Sequence, residues 1–156
     1  MIKIEIPGYG NLHIENVLMD YNGTIASKGS FISELKETVV ELSKKVNLYV
    51  ITADTFGTVS KELKNLPIEI IKIKKNDERI EKLQALKKLG SERTIAYGNG
   101  NNDTLMLKES AVGICIIGDE GTSKEVLANS DLIIGSIKKG LNLLIEPNKM
   151  KATLRY

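Results

Sequence analysis

One cysteine, Cys115, and one histidine, His13, are all that 156 residues supply of these two reactive side chains. A lone cysteine has no partner for an internal disulfide, and Cys115 sits in the apolar run Val112-Gly113-Ile114-Cys115-Ile116-Ile117, where it reads as a buried strand residue. A histidine-rich metal site or a Ser-His-Asp relay would rest on His13 alone, so His13 is read as structural. Apolar runs are also short, and none approaches the ~20 residues that span a bilayer. Neither sign of charge prevails: 22 basic and 20 acidic residues are mixed along the chain, which argues against a dedicated nucleic-acid surface. The densest basic patch, Lys72, Lys74 and Lys75, is flanked by Glu69 and Asp77 and reads as a solvated strand end. The first six residues alternate polar and apolar and lack the basic-then-apolar order of a signal peptide, so the expected location is the cytoplasm. No Gly-x-x-x-x-Gly-Lys-Ser/Thr loop is present, which ranks ATP specificity low. Without a repeat, low-complexity segment or linker, the expectation is one domain over residues 1–156.

What the chain does have is alternation of short apolar runs with amphipathic stretches. Residues 2–6 and 12–14 alternate around Pro7-Gly8-Tyr9-Gly10-Asn11, predicting an N-terminal hairpin extension over residues 1–15. Val17-Leu18-Met19 then reads as a buried strand ending at Asp20, followed at once by the turn Tyr21-Asn22-Gly23-Thr24. Leu35, Val39, Leu42 and Val46 predict a helix over 33–45, and 48–51 a second strand running into Thr52-Ala53-Asp54. Val59, Leu63 and Leu66 mark a helix ended by Pro67. A strand over 68–73 leads to a cap at Asn76 and a helix with Ile80, Leu83, Leu86 and Leu89 on one face, stopped by Gly90. The strand at 94–97 runs into Gly98-Asn99-Gly100-Asn101-Asn102-Asp103 and a helix carrying Leu105, Met106 and Leu107. A strand at 112–117, a short helix around 126–128 and a strand at 132–134 complete the series. Such alternation predicts an α/β fold, a three-layer doubly wound parallel sheet with right-handed crossovers. In such a sheet the strand ends share one edge, so Asp20, Thr52 and the loop from Gly98 to Asp103 can converge. Asp54 reads as a helix cap beyond Thr52.

Asp20 with Gly23-Thr24, then Thr52, then Gly98-Asn99 through Asn102-Asp103 resemble, in order and at plausible spacing, the motifs of the haloacid dehalogenase superfamily. With the tail Lys151-Ala152-Thr153-Leu154-Arg155, the likeness is nearest to the soluble branch similar to the phosphorylation domain of P-type ATPases. The resemblance implies that Asp20 is a nucleophile that forms an aspartyl phosphate. It implies Mg²⁺ held by the Asp20 carboxylate, the backbone carbonyl of Asn22, the Asp103 carboxylate and Asn99. Phosphoryl oxygens would be bound by Thr52, Ala53 and the turn amides at Tyr21, Asn22 and Gly23. A lysine should reach the phosphate from the helix before the fourth strand; Lys82 is favoured, with Arg79 one turn away as the other candidate.

Two departures matter. Asn22 stands where phosphatases of the superfamily place an acid/base Asp, and Asn99 where a metal-binding Asp is common. An amide cannot exchange a proton at neutral pH, so leaving-group protonation and water attack should both slow, and fewer carboxylates predict looser Mg²⁺ binding. The intervals between motifs leave no room for a cap domain. An open site takes a large phosphorylated substrate or is covered by a neighbouring subunit of a homo-oligomer, for which the N-terminal hairpin is a candidate interface, as much as a simple extension of the sheet. The leading expectation is therefore a slow Mg²⁺-dependent phosphohydrolase. The alternatives are a non-catalytic phosphate-binding or regulatory module, and ATPase or phosphotransfer activity like that of the pumps.

Overall fold

A computed structural model describes residues 1–54 and 57–156. The N-terminal hairpin pairs β1 (Ile2–Ile6) with β2 (Gly10–Ile14), antiparallel, and β3 (Asn16–Asp20) follows. A two-rung hairpin, β4 (Ala26–Ser27) and β5 (Ser30–Phe31), precedes a 3₁₀ turn and α1 (Lys36–Ser43). Next come β6 (Asn47–Thr52), α2 (Thr58–Glu62), β7 (Glu69–Lys72) and α3 (Glu78–Leu89). Then follow β8 (Thr94–Gly98), α4 (Thr104–Glu109), β9 (Val112–Ile116), α5 (Lys124–Ala128) and β10 (Leu132–Ile134). Two further helices, α6 (Ile137–Ile145) and α7 (Pro147–Leu154), end the chain.

Six strands form one parallel sheet in the order β10-β9-β8-β3-β6-β7, with β3 at its centre beside β6 and β8. Every residue of β3 is buried, as expected of a strand covered on both faces. Its side chains alternate between two cores. Val17 and Met19 join the cluster that includes Val39 and Leu42 of α1, Leu141 of α6 and Met150 of α7. Leu18 joins Ala85 and Leu86 of α3, Met106 and Leu107 of α4 and Val126 of α5 on the other face. Burying each such aliphatic side chain stabilises the fold by ~1.5–3 kcal/mol, which fixes the strand's register and hence where Asp20 emerges. The strand order thus gives the expected three-layer α/β architecture, and among the described residues nothing folds as a separate cap over the strand ends. No helix among them is long and apolar enough to cross a membrane.

Several details differ from the sequence expectation. The N-terminal hairpin is a separate two-stranded sheet and not an extension of the central one. Its inward residues Ile2, Ile4, Ile6, Leu12 and Ile14 join the chain's own core, so that apolar face is already covered. Helix α2 ends at Glu62 and gives way to turns before Pro67. The cap of α3 is Asp77, whose Oδ1 accepts from the Ile80 amide at 3.3 Å, and not Asn76. Ile80, expected on the inner face of α3, is 39% exposed, whereas Lys82 is 1% exposed. Periodicity alone cannot anticipate a lysine in the inward stripe, because the ammonium is tolerated there only by virtue of what it meets. Helix α6 was not expected after β10. It fits against β8 through Gly140, where a Cβ would stand 3.0 Å from Tyr97 Cε1, and the Tyr97 hydroxyl donates to the Gly140 carbonyl at 3.0 Å.

Candidate active site

Strand β3 delivers Asp20 to the carboxyl edge of the sheet, where the chain turns immediately. The Tyr21 carbonyl accepts from the amides of Thr24, Ile25 and Ala26, and Gly23 adopts φ +75°, which only glycine takes without strain. A Cβ at Gly23 would collide with Asn99 Nδ2 and come within 2.9 Å of Glu120 Oε2, so the absence of a side chain lets both neighbours close over the turn. From β6, Thr52 arrives beside Asp20 and is 5% exposed. Its hydroxyl accepts from the Asp54 amide at 3.2 Å, and Asp54 Oδ2 accepts from the Val59 amide at 3.0 Å, so Asp54 helps to cap the start of α2.

The loop after β8 is built around Asp103, which is fully buried. Its Oδ2 accepts from the amides of Asn99 at 2.9 Å and Gly100 at 3.0 Å, folding the loop back on itself. Gly98 makes room for this carboxylate, since a Cβ there would lie 2.6 Å from Asp103 Oδ2. Asp103 Oδ1 takes a 2.7 Å bond from Lys82 Nζ, which also donates to Asp20 Oδ1 at 2.7 Å. One ammonium therefore joins two buried carboxylates drawn from different ends of the sequence.

Three charges held out of water account for the electrostatics of the site. Burial raises the Asp20 carboxyl to about 7, with the Asp103 charge acting in the same direction and Lys82 opposing it. Burial pulls Lys82 down, but the charges and hydrogen bonds of Asp20 and Asp103 outweigh it and hold the ammonium above the ordinary lysine value. Two carboxylates and one ammonium leave an excess of one negative charge when all are ionised, so the site is disposed to receive a further cation.

A cleft of about 570 Å³ opens over these residues, lined among others by Asp20, Asn22, Thr52, Lys82 and Asn99. Tyr21 and Ala53 also line it, whereas Gly23 packs against Asn99 and Glu120 and lines a neighbouring hollow with Thr24 and Gly118. Asp103 sits below the floor. Arg79 is not brought to this cleft; it is exposed and lines a different surface hollow with Asn101 and Leu105. Glu120 is the neighbour that sequence reasoning missed. It reaches the rim from the loop after β9, which carries no motif of its own. That loop is tied to Asn99: Asn99 Nδ2 donates to the Gly121 carbonyl at 3.2 Å, and the Asn99 carbonyl accepts from Thr122 Oγ1 at 2.8 Å and the Ser123 amide at 3.0 Å.

Comparison with known proteins agrees with this architecture. The family model for haloacid dehalogenase-like hydrolases matches residues 31–140. An uncharacterized protein of Methanocaldococcus jannaschii is 44% identical over 86 residues, covering 53% of this chain and 92% of that protein. Among solved structures, the 3-deoxy-D-manno-octulosonate 8-phosphate phosphatase of Moraxella catarrhalis, crystallised with magnesium, phosphate and KDO, matches with a TM-score of 0.72 at 20% identity, over 92% of this chain and 94% of that one. The cobalt-bound octulosonate phosphatase of Haemophilus influenzae matches with a TM-score of 0.72 at 12% identity, over 92% of this chain and 94% of that one. A zinc-transporting PIB-type ATPase matches with a TM-score of 0.63 at 21% identity, over 79% of this chain but 20% of the pump. The structural likenesses speak to fold; the family match covers most of the sequence, and the chain belongs to the haloacid dehalogenase-like hydrolases.

Proposed function

We propose that this chain is a Mg²⁺-dependent phosphohydrolase that works through an aspartyl phosphate at Asp20. The observation that carries the reading is the position of Asp20: a carboxylate at the end of the central strand, on the cleft, with Lys82 Nζ 2.7 Å away. The octulosonate phosphatases of the same fold act on a phosphorylated sugar acid, which supports a phosphomonoester as the substrate class.

An Asp20 oxygen attacks phosphorus, the phosphorus–oxygen bond to the leaving group breaks, and the leaving oxygen takes its proton from solvent. Water then attacks phosphorus in the acyl phosphate, releasing inorganic phosphate and regenerating the carboxylate. Thr52 and the amides of Tyr21, Asn22 and Ala53 bind the phosphoryl oxygens, and Lys82 offsets the charge that accumulates there; the Gly23 amide, expected among these donors, is instead taken by the Ala26 carbonyl at 3.0 Å. Asn22 offers a fixed donor and acceptor but no exchangeable proton, so both steps proceed without general acid/base help and turnover is slow.

The donor chemistry fits a hard divalent ion. Among the described residues no three acidic, cysteine or histidine side chains form a ready-made cage, and Mg²⁺ commonly manages with one or two carboxylates, waters and substrate phosphate. Asp20, the Asn22 carbonyl and Asn99 would hold it; Asp103, expected as a further ligand, has its oxygens taken by Lys82 and the amides of Asn99 and Gly100, so it would serve from below by fixing Lys82 and the Asn99 loop. When bound, the ion would neutralise the repulsion between carboxylate and phosphate.

The test is phosphate release from a panel of phosphomonoesters and acyl phosphates with and without Mg²⁺, beside Asp20→Asn. Release that needs the metal and vanishes in the variant is the expected result; no release from any substrate counts against the reading. The amides at Asn22 and Asn99 favour a second reading, a phosphate-binding module without turnover. Calorimetry with beryllofluoride separates the two, because stable trapping requires Asp20 to act as a nucleophile.

A further inference from the structure

Asp103 has both oxygens engaged by Lys82 and two loop amides, and Asn22 and Asn99 are neutral, so the ion site read above has one carboxylate, Asp20, of its own. Glu120 stands beside it without an assigned task. Its Oε2 comes within 2.9 Å of the point where a Gly23 Cβ would lie, over the same glycine that Asn99 covers, and it shares the cleft with Asp20 and Asn22. Its placement is not that of a free loop tip. Asn99 fastens the segment at Gly121, Thr122 and Ser123, and Ser27 Oγ donates to Asp119 Oδ2 at 3.1 Å from the other side. A Cβ at Gly118 would stand 3.2 Å from the Gly23 carbonyl, so the loop also rests on the turn after Asp20.

We propose that Glu120 supplies the second anionic oxygen to the divalent ion, directly or through one bound water, in place of the charge that is absent at Asn99. The inference rests on the metal-dependent reading of the Asp20 cleft. A carboxylate contributed by a loop attached to Asn99 itself lies on the Asn99 side of Asp20, opposite the wall formed by Thr52. Glu120 is exposed, so its side chain is free to turn toward the ion without breaking a buried contact.

The experiment is titration of the purified protein with Mn²⁺, followed by the electron paramagnetic resonance of the free ion, and with Mg²⁺ by calorimetry, in the absence of substrate. Glu120→Gln should weaken both ions about tenfold or more, Glu120→Asp should restore part of the loss, and Glu109→Gln, an exposed carboxylate away from the cleft, should bind as the wild type does. Melting curves of the exposed-site variants should coincide with the wild type, which excludes a folding defect. Glu120→Gln binding as tightly as the wild type, while Asp20→Asn loses the ion, overturns the role of Glu120 and leaves the Asp20 reading intact. Failure of the wild type to bind either ion overturns both.

Discussion

Lys82 and Asp103 are joined by a 2.7 Å bond inside the protein, their side chains 2% and 0% exposed. The same ammonium holds Asp20 at the same distance. Truncating it leaves two carboxylates facing each other out of water. Lys82→Met should therefore lower stability by about 3–5 kcal/mol at pH 8, the range for breaking a buried ion pair from one side. Urea denaturation measures it, and an unchanged midpoint would mean that the site is wetter than its burial indicates.

The raised Asp20 carboxyl gives stability a definite pH dependence. In the unfolded chain Asp20 ionises near the ordinary value of 3.8, whereas the folded state keeps the proton up to about 7. The folded state thus binds more protons between those values, so this group's contribution is greatest below pH 4 and is lost as pH rises through about 7. Asp20→Asn removes the dependence. In metal-free buffer the variant's melting temperature should rise relative to the wild type between pH 5 and pH 8, and a constant difference would contradict the raised value.

Asn22→Asp restores a proton carrier at an exposed position on the cleft. Steady-state phosphate release should rise by about 10²-fold, the lower part of the range for general acid/base help, and the phosphoenzyme trapped by acid quench should become shorter-lived. A variant no faster than the wild type would place the slow step elsewhere.

Gly23→Ala puts a methyl group where Asn99 now lies, on a backbone at φ +75°. The conformation alone costs about 1–2 kcal/mol for a residue with a side chain. The displaced Asn99 should also weaken Mg²⁺ binding, so thermal melts and calorimetry should both report the change.

Much of this was legible in the sequence because it depends on local pattern. Val17-Leu18-Met19, a short apolar run before a turn, reads as a buried strand, and in a doubly wound sheet its last residue can meet Thr52 and the Asn99 loop at one edge. Lys82 was identifiable through the family likeness but not its burial, since an apolar stripe is drawn through Ile80, Leu83 and Leu86 by default. The choice between Lys82 and Arg79 required the direction of a side chain, which spacing does not give. Helix α6 did leave a signal, Ile137, Leu141 and Leu144 at helical spacing, but Gly140 in its middle weakens that pattern and makes sense only against Tyr97. Glu120 left none, because what places it is the set of bonds to Asn99, more than twenty residues back in the chain.

The position of β3 between β6 and β8 has a kinetic consequence. Its partners begin at Asn47 and Thr94, so the middle of the sheet cannot zip up from neighbouring segments and must wait for long stretches of chain to loop back. Refolding should be correspondingly slow, and the ability to capture an ion should return in step with the last, sheet-closing phase and not with early helix formation.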